Sequence, residues 1–360
     1  FGTIFLYQAV IMQKISCVLL FALLLGFICT ILKKSDIDSV ILLYFAFFYF
    51  LLSIYRVYVF LAGEVNINTI VPALISFLLL LLLLISKLDR YFNRIMLSVQ
   101  IGIPLLLLIF LQNRYVYNGV TVSIYTSFIS TFSVMIIMLL MIVFNFLKAY
   151  KYWNYKGTIG NVIYFTSCAA VMIFNRYTGQ GAIITTDDHH PYENIIGFSQ
   201  IFELGQVPFK NYIPISGMYS IIHGAFFKFF GNGEMGLYNV ADNIFYFFII
   251  ILIAALLYKR VSGKLLFIIS LLFVAYDYDR IVYILPIILL LSDERLIKKA
   301  NLWLVFWFLT SLFHGLYYPV YGASVALAFL PLGIYQIYIL FQYNFIYYHH
   351  FYLLELILIY

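Results

Sequence analysis

Long apolar runs recur from one end of the chain to the other, broken by short clusters of Lys, Arg, Asp and Asn rather than by alternating polar positions. A strand facing a core would alternate, whereas an unbroken apolar stretch approaching the roughly 20 residues needed to cross about 30 Å of hydrocarbon predicts a membrane helix. The pattern predicts helices over 15–32, 40–61, 69–86, 95–111, 122–147 and 158–174. After a long polar interruption they resume over 241–258, 265–276, 281–291, 302–313 and 321–341, with a last stretch from 345. The expected fold is therefore an all-α polytopic membrane protein of about 11–12 transmembrane helices. It is one membrane domain with N-terminal helices over 1–174, a loop over 175–243 and C-terminal helices over 244–360. The chain opens at Phe1 and stops at Tyr360 inside an apolar run, so the helix count is a minimum.

Composition agrees with the pattern: 65% of the 360 residues are hydrophobic and 10% charged, against roughly 25% charged in a soluble domain. A signal peptide would account for one run and not for the series. Cys17, Cys29 and Cys168 all fall in apolar runs without paired spacing, which predicts inert core thiols. The 33 tyrosines and 37 phenylalanines fit interfacial belts and lipid-facing surfaces without a cofactor. No nucleic-acid partner is expected; the bilayer is.

Charge sets the expected orientation, because short loops retained in the cytoplasm are enriched in Lys and Arg. Fourteen of the 21 basic residues, including Lys33, Arg94, Lys148, Lys259, Lys264 and Lys299, fall on one side of the threading. Nine of the 15 acids, including Glu64, Asp187, Glu203 and Asp277, fall on the other. The long loop should thus face away from the cytoplasm. The runs either side of 277–280 are short for a crossing, and the charge rule favours two short helices meeting at an outward turn over one helix broken in mid-membrane. Arg56, inside the second span, should face the bundle interior or a water-filled cavity, with Glu64 on the side to pair with it.

The densest chemistry lies in that loop, where Asp187, Asp188, His189, His190 and Glu193 fall within seven residues. One acid suffices to cap a helix N-terminus; three carboxylates with two imidazoles are more than a cap needs and are also divalent-metal ligands. Pro191 and Gly205 bracket a segment with Ile195, Phe198, Ile201 and Phe202 at helical spacing, the pattern of an amphipathic helix lying in the membrane plane. Residues 207–214 read as an extended, proline-punctuated connector. A second short apolar helix follows over about 218–230.

The order Asp187-Asp188-His189-His190, Glu193, Gly205-Gln206-Val207-Pro208-Phe209-Lys210-Asn211-Tyr212, Ser216-Gly217-Met218-Tyr219 and Phe230-Gly231 resembles the loop of the polytopic C-type (GT-C) glycosyltransferases, which use polyprenyl-phosphate-linked sugars. The match spans 45 of 360 residues, from Asp187 to Gly231. In that family the loop usually follows the first span, whereas about six spans precede it here, and Asn211 stands where an acid often follows the proline element. The resemblance implies an outward loop of membrane-plane or re-entrant helices in which Asp187 or Asp188 acts as base or metal partner. It also implies a polyprenyl-phosphate sugar donor and an extracytoplasmic glycan, lipid or protein acceptor.

Breaking an anomeric C–O bond calls for a carboxylate to take the acceptor's proton and cations to stabilise the departing phosphate. Arg280, in the outward turn Asp277-Tyr278-Asp279-Arg280, and Lys210 are the cation candidates, Arg280 as a bidentate clamp. Each has a plainer role, a local pair with Asp277 or Asp279 for Arg280 and an interfacial snorkel for Lys210. His189, His190, Glu193, Tyr212, His223 and His314 complete the expected substrate-binding set, and Asp188 with His190 is the candidate site for Mg or Mn. Two other classes remain open, a polysaccharide polymerase or ligase of the other membrane architecture and a transporter or flippase of lipid-linked sugars. The first should carry conspicuous loop arginines, where Arg176 stands alone, and the second commonly carries internal repeats, which are not evident here.

Overall fold

The computed structural model describes residues 18–32, 36–62, 70–86, 88–112, 114–117, 120–123, 128–177, 189–214, 219–231, 238–273 and 279–359. For the strands and several helix ends, among them 189–195, 219–221, 279–283 and 343–359, the backbone alone is described. The chain is a helical membrane protein: five of its described helices are long and apolar enough to cross a bilayer, and five shorter apolar helices accompany them. It divides into two compact units, one comprising Phe1–Ile184 and Gly236–Tyr276, the other Thr185–Met235 and Asp277–Tyr360.

The first unit contains α1 (Val18–Ile31), α2 (Ile37–Ala62), α3 (Ile70–Ile85), α4 (Phe92–Gly102), α5 (Phe128–Tyr152), α6 (Phe165–Tyr177), α9 (Tyr238–Tyr258) and α10 (Gly263–Leu272). Helix α6 is its centre, with Cys168 through Ile173 wholly buried against α5, α9, α10 and the 3-10 continuation of α4 over Ile103–Gln112. The lipid side of α5 is apolar and open, Leu139 and Leu140 being 58% and 61% exposed. Such a surface would be a liability in water and is the expected one facing acyl chains. Cys29 and Cys168 are buried free thiols, as their setting predicts, while Cys17 lies outside the described residues.

A polar network holds this unit where its backbone leaves helical geometry. Pro104 has no N–H, so the Gln100 carbonyl four residues earlier loses its helical donor. The Asn145 side chain of α5 supplies one instead, donating to that carbonyl at 2.6 Å and to the Ser167 hydroxyl at 3.1 Å. Thr166 in turn donates to the Asn145 side-chain oxygen. Ile163 is extended before α6, and there Gln100 donates to the Val162 carbonyl at 2.7 Å and accepts from the Tyr164 N–H at 2.8 Å. In a medium without water these side chains stand in for the missing ladder.

Basic residues meet at one end of this unit. Lys264 pairs with Asp38, joining the starts of α10 and α2. Asn93 donates to the Gly157 carbonyl at 2.6 Å, and Arg94 to the Asn154 side chain at 3.3 Å, joining the start of α4 to the segment after α5. Arg56 of α2 is half-buried with its guanidinium 5.5 Å from the Phe174 ring centroid, a cation–π placement inside the unit. Its expected partner Glu64 lies outside the described residues.

Two expectations need correction. The helical fold class stands, but a run expected to be helical from 122 instead contains part of a short antiparallel hairpin, β1 (Arg114–Tyr117) with β2 (Val120–Ser123), in which Tyr117 pairs with Val120. Asn-Gly between alternating β-branched and aromatic residues is a strong hairpin signal, and it moves the start of the fifth helix from 122 to Phe128. The final helix is also undivided.

The second unit contains α7 (His189–Phe202), α8 (Tyr219–Gly231), α11 (Asp279–Leu291), the short α12 (Glu294–Ile297), α13 (Ala300–Tyr317) and α14 (Pro319–Ile359). Helix α14 runs 41 residues through the break expected between 341 and 345, where Gln342-Tyr343-Asn344 contains neither Gly nor Pro. At 1.5 Å per residue it is about 60 Å long, twice a hydrocarbon thickness. The two short helices expected either side of 277–280 are α10 and α11, in different units, and the intervening residues 274–278 are not described.

Helices α13 and α14 form a tight hairpin. Tyr318 is extended, as the residue before a proline prefers, and Pro319 opens α14. A side chain at Gly322 would collide with the Gly315 and His314 backbone, so the glycine at 322 permits the close approach. Below the turn, Trp303 is fully buried, stacks on Trp307 at 5.7 Å and donates to the Leu291 carbonyl at 2.8 Å, tying α13 to α11.

Candidate functional site

The polar loop singled out by the sequence belongs to the second unit, together with α11, α13 and α14. Asp187 and Asp188 lie outside the described residues. His189, His190 and Glu193 are in the first five residues of α7 and Arg280 is the second residue of α11, in each case with the backbone described and the side chain not. Lys210, Tyr212, His223 and His314 are described in full.

Helix α7, expected between Pro191 and Gly205, runs from His189 to Phe202. Its end is built by Gly205, which adopts a left-handed φ of 62°, while the Gln206 N–H turns back to the Gln200 carbonyl at 2.8 Å. The chain then makes a compact turn rather than the extended connector suggested by Pro208. The Asn211 N–H donates to the Val207 carbonyl at 2.9 Å and the Asn211 side chain accepts from the Val207 N–H at 2.8 Å. The Asn211 side-chain oxygen thus closes the turn on its own backbone neighbours at the position where an acid was expected. The turn is strained: Phe209 has φ 63°, a conformation costing a bulky residue on the order of 1–2 kcal/mol. It persists because the Phe209 N–H also donates to the Tyr212 carbonyl at 2.8 Å.

This turn aims its polar groups in two directions. Lys210 is exposed. Tyr212 is half-buried, and its hydroxyl and the Gln206 side-chain oxygen are buried without a hydrogen-bond partner among the described residues. Burial pushes the Tyr212 phenol above its ordinary range, so it is a donor at neutral pH.

Helix α8 packs on α7 through an aromatic seam, with Phe198 stacked on Phe202 at 5.1 Å and edge-on to Phe227 at 4.8 Å. Gly224 lies under Phe198 and Phe202, where a side chain would crowd both rings. One residue earlier, His223 is 2% exposed, and its Nε2 shares a 2.7 Å hydrogen bond with the Tyr317 hydroxyl at the end of α13. His314, one turn before Tyr317 on the same helix, is 4% exposed with its ring 6.0 Å from the Tyr317 ring. The structure therefore gathers His223 and His314 about Tyr317. It does not bring Lys210 into that group.

Tyr317 is the residue that sequence reasoning missed, although it stands in the same His314-Gly315-Leu316-Tyr317 run. Its signal was the i, i+3 spacing from His314, which puts both on one face of a helix. Among the described residues no group of three or more His, Cys, Asp or Glu side chains gathers as a metal would require, and the Asp188 and His190 side chains of the expected metal site are outside them. No family model, curated protein or solved structure matches this chain.

Proposed function

We propose that the chain is a membrane glycosyltransferase that moves a sugar from a polyprenyl-phosphate carrier to an acceptor hydroxyl on the extracytoplasmic side. The observation that carries this reading is the buried His223–Tyr317 bond, which fastens the polar loop's helix pair to a bilayer-length helix within one unit. A transferase acting on a lipid-linked donor needs such a junction, since its reacting bond lies at the membrane surface while the carrier's tail stays in hydrocarbon. The loop sequence supplies the rest of the support through its likeness to the C-type glycosyltransferases.

In this reading Asp187 or Asp188 takes the proton of the acceptor hydroxyl as its oxygen attacks the anomeric carbon. The anomeric C–O bond to the carrier breaks, its electron pair leaves on the phosphate oxygen, and configuration at that carbon inverts. Arg280 or Lys210 stabilises the departing phosphate, and Tyr212 offers a hydrogen bond to a sugar or phosphate oxygen, while His223 holds the loop in place through Tyr317. A divalent metal at Asp188 and His190 would supply further charge neutralisation; no step above depends on it.

The test is transfer by purified protein in liposomes from a panel of polyprenyl-phosphate sugars, with and without Mg or Mn. Asp187→Asn and Asp188→Asn are compared with wild type. One of the two should lower the rate by about 100-fold or more, the range for loss of a general base. Wild-type transfer by both variants would remove these acids from the chemistry, and absence of transfer from every donor would remove the activity itself.

A further inference from the structure

We infer that a cleft at the basic end of the first unit binds the phosphate group of an anionic membrane lipid. The cleft, about 230 Å³, opens between the last turns of α5 and α9 and the start of α6, and Lys148, Lys259, Asn161, Tyr152, Tyr164 and Tyr258 are among its walls. It lies in the opposite part of the sequence from the loop chemistry and stands independently of the transferase reading.

Three observations point to an anion. Lys148 and Lys259 meet no carboxylate among the described residues, in contrast to Lys264, which pairs with Asp38 at the same end. The Tyr164 hydroxyl, in the cleft wall, is buried with no hydrogen-bond partner among the described residues. Asn161 turns one amide donor to the Tyr155 hydroxyl at 2.9 Å and lines the cleft beside it. Two ammonium groups, a phenol and an amide form a donor set that acceptor-rich phosphate oxygens satisfy. Lysines at helix C-termini also complement the helix dipole, and that role alone would need neither a cleft nor a buried unpartnered phenol.

The source of the phosphate follows from the floor and the size. Phe144, Phe165 and Tyr258 form a contiguous aromatic wall, with Phe144 and Phe165 centroids 5.1 Å apart and Phe165 and Tyr258 6.1 Å apart. Lys148 lies over the first of these rings at 5.5 Å. An apolar floor with a cationic rim matches an amphiphile at the headgroup level. The volume falls below the roughly 300–1,000 Å³ of pockets that enclose a whole ligand, which suits a headgroup whose tails remain in the bilayer. Free phosphate would satisfy the lysines and leave the aromatic wall without a role.

The experiment is lipid retention by the full chain, purified in detergent and read by native mass spectrometry, with phosphatidylglycerol, phosphatidylcholine or inorganic phosphate as probe. Wild type should retain phosphatidylglycerol in preference to phosphatidylcholine. The pair Lys148→Gln with Lys259→Gln should reduce that retention at least about tenfold. Tyr164→Phe, which keeps the ring and its packing, should reduce it by a smaller factor, and Lys151→Gln, a nearby exposed lysine outside the cleft, should leave it unchanged. Unchanged retention in a normally folded double variant, an equal loss with Lys151→Gln, or displacement of the lipid by inorganic phosphate at comparable concentration would each overturn the proposal. If the double variant does not fold, Tyr164→Phe decides: unchanged retention there overturns it as well.

Discussion

Gln100 and His223 are both polar side chains buried in apolar surroundings, yet they sit in different kinds of place. In the first unit, Gln100, Asn145, Thr166 and Ser167 close on one another and on backbone groups that Pro104 and the extended Ile163 would otherwise leave without partners. In the second, His223 joins a polar loop to a membrane helix through Tyr317, and in the turn before it Tyr212 and Gln206 keep buried polar atoms without partners among the described residues. Polarity that answers a defect in the backbone ladder is structural. Polarity gathered where a polar loop meets a bilayer-length helix, with hydrogen-bonding capacity left over, is where a ligand can bind.

The comparison breaks most readily at Asn145. Asn145→Ala removes the donor to the Gln100 carbonyl and the acceptor of the Thr166 hydroxyl, and leaves both buried. An average hydrogen bond between membrane helices contributes only about 0.6 kcal/mol, but each buried group stranded without a partner costs about 1–3 kcal/mol. The stranded groups dominate, so the expected loss is about 2–6 kcal/mol, measured as unfolding of the purified protein in detergent. A loss no larger than one average bond would mean that the network is not what holds α4, α5 and α6 together. On the proposed transferase reading, transfer activity per folded molecule should be unchanged.

Tyr317→Phe sharpens the other side. It removes one hydrogen bond to His223 and keeps the ring, which stacks on Phe313 at 6.0 Å. The expected cost is about 1 kcal/mol of stability, with a fall in sugar transfer of about tenfold if the junction aligns the loop, since 1.4 kcal/mol of misalignment corresponds to a factor of ten. An unchanged rate in a mildly destabilised protein would make the junction a fastening and nothing more.

Sequence pattern revealed what local physics controls. Apolar run length located the helices, Gly205 marked the end of α7, and a short helix expected over 218–230 is Tyr219–Gly231. It failed where partners are distant along the chain. Asn145 answers a carbonyl 45 residues away and His223 a tyrosine 94 residues away, and no periodicity encodes either pairing. The hairpin at Arg114–Ser123 was a different failure, because Asn118-Gly119 is a local signal overshadowed by the apolar runs on both sides. Of the candidate site, His223 and His314 were legible as polar residues on the loop's side, whereas Tyr317 was hidden by the abundance of tyrosine.

Tyr212→Phe has the smallest expected effect on stability and the clearest bearing on the comparison. Its hydroxyl has no protein partner among the described residues to lose, and burying a phenol without one is itself unfavourable. Removing the oxygen should therefore leave stability unchanged or slightly raised, with the strained turn at Phe209 intact because its hydrogen bonds run through backbone and Asn211. If the hydroxyl instead waits for a donor or acceptor oxygen, the same variant should lower transfer or raise the substrate KM several-fold. Thermal unfolding and kinetics on one preparation separate the two cases. A destabilised Tyr212→Phe would show that the hydroxyl has a structural partner, which would make this turn another scaffold like that of the first unit.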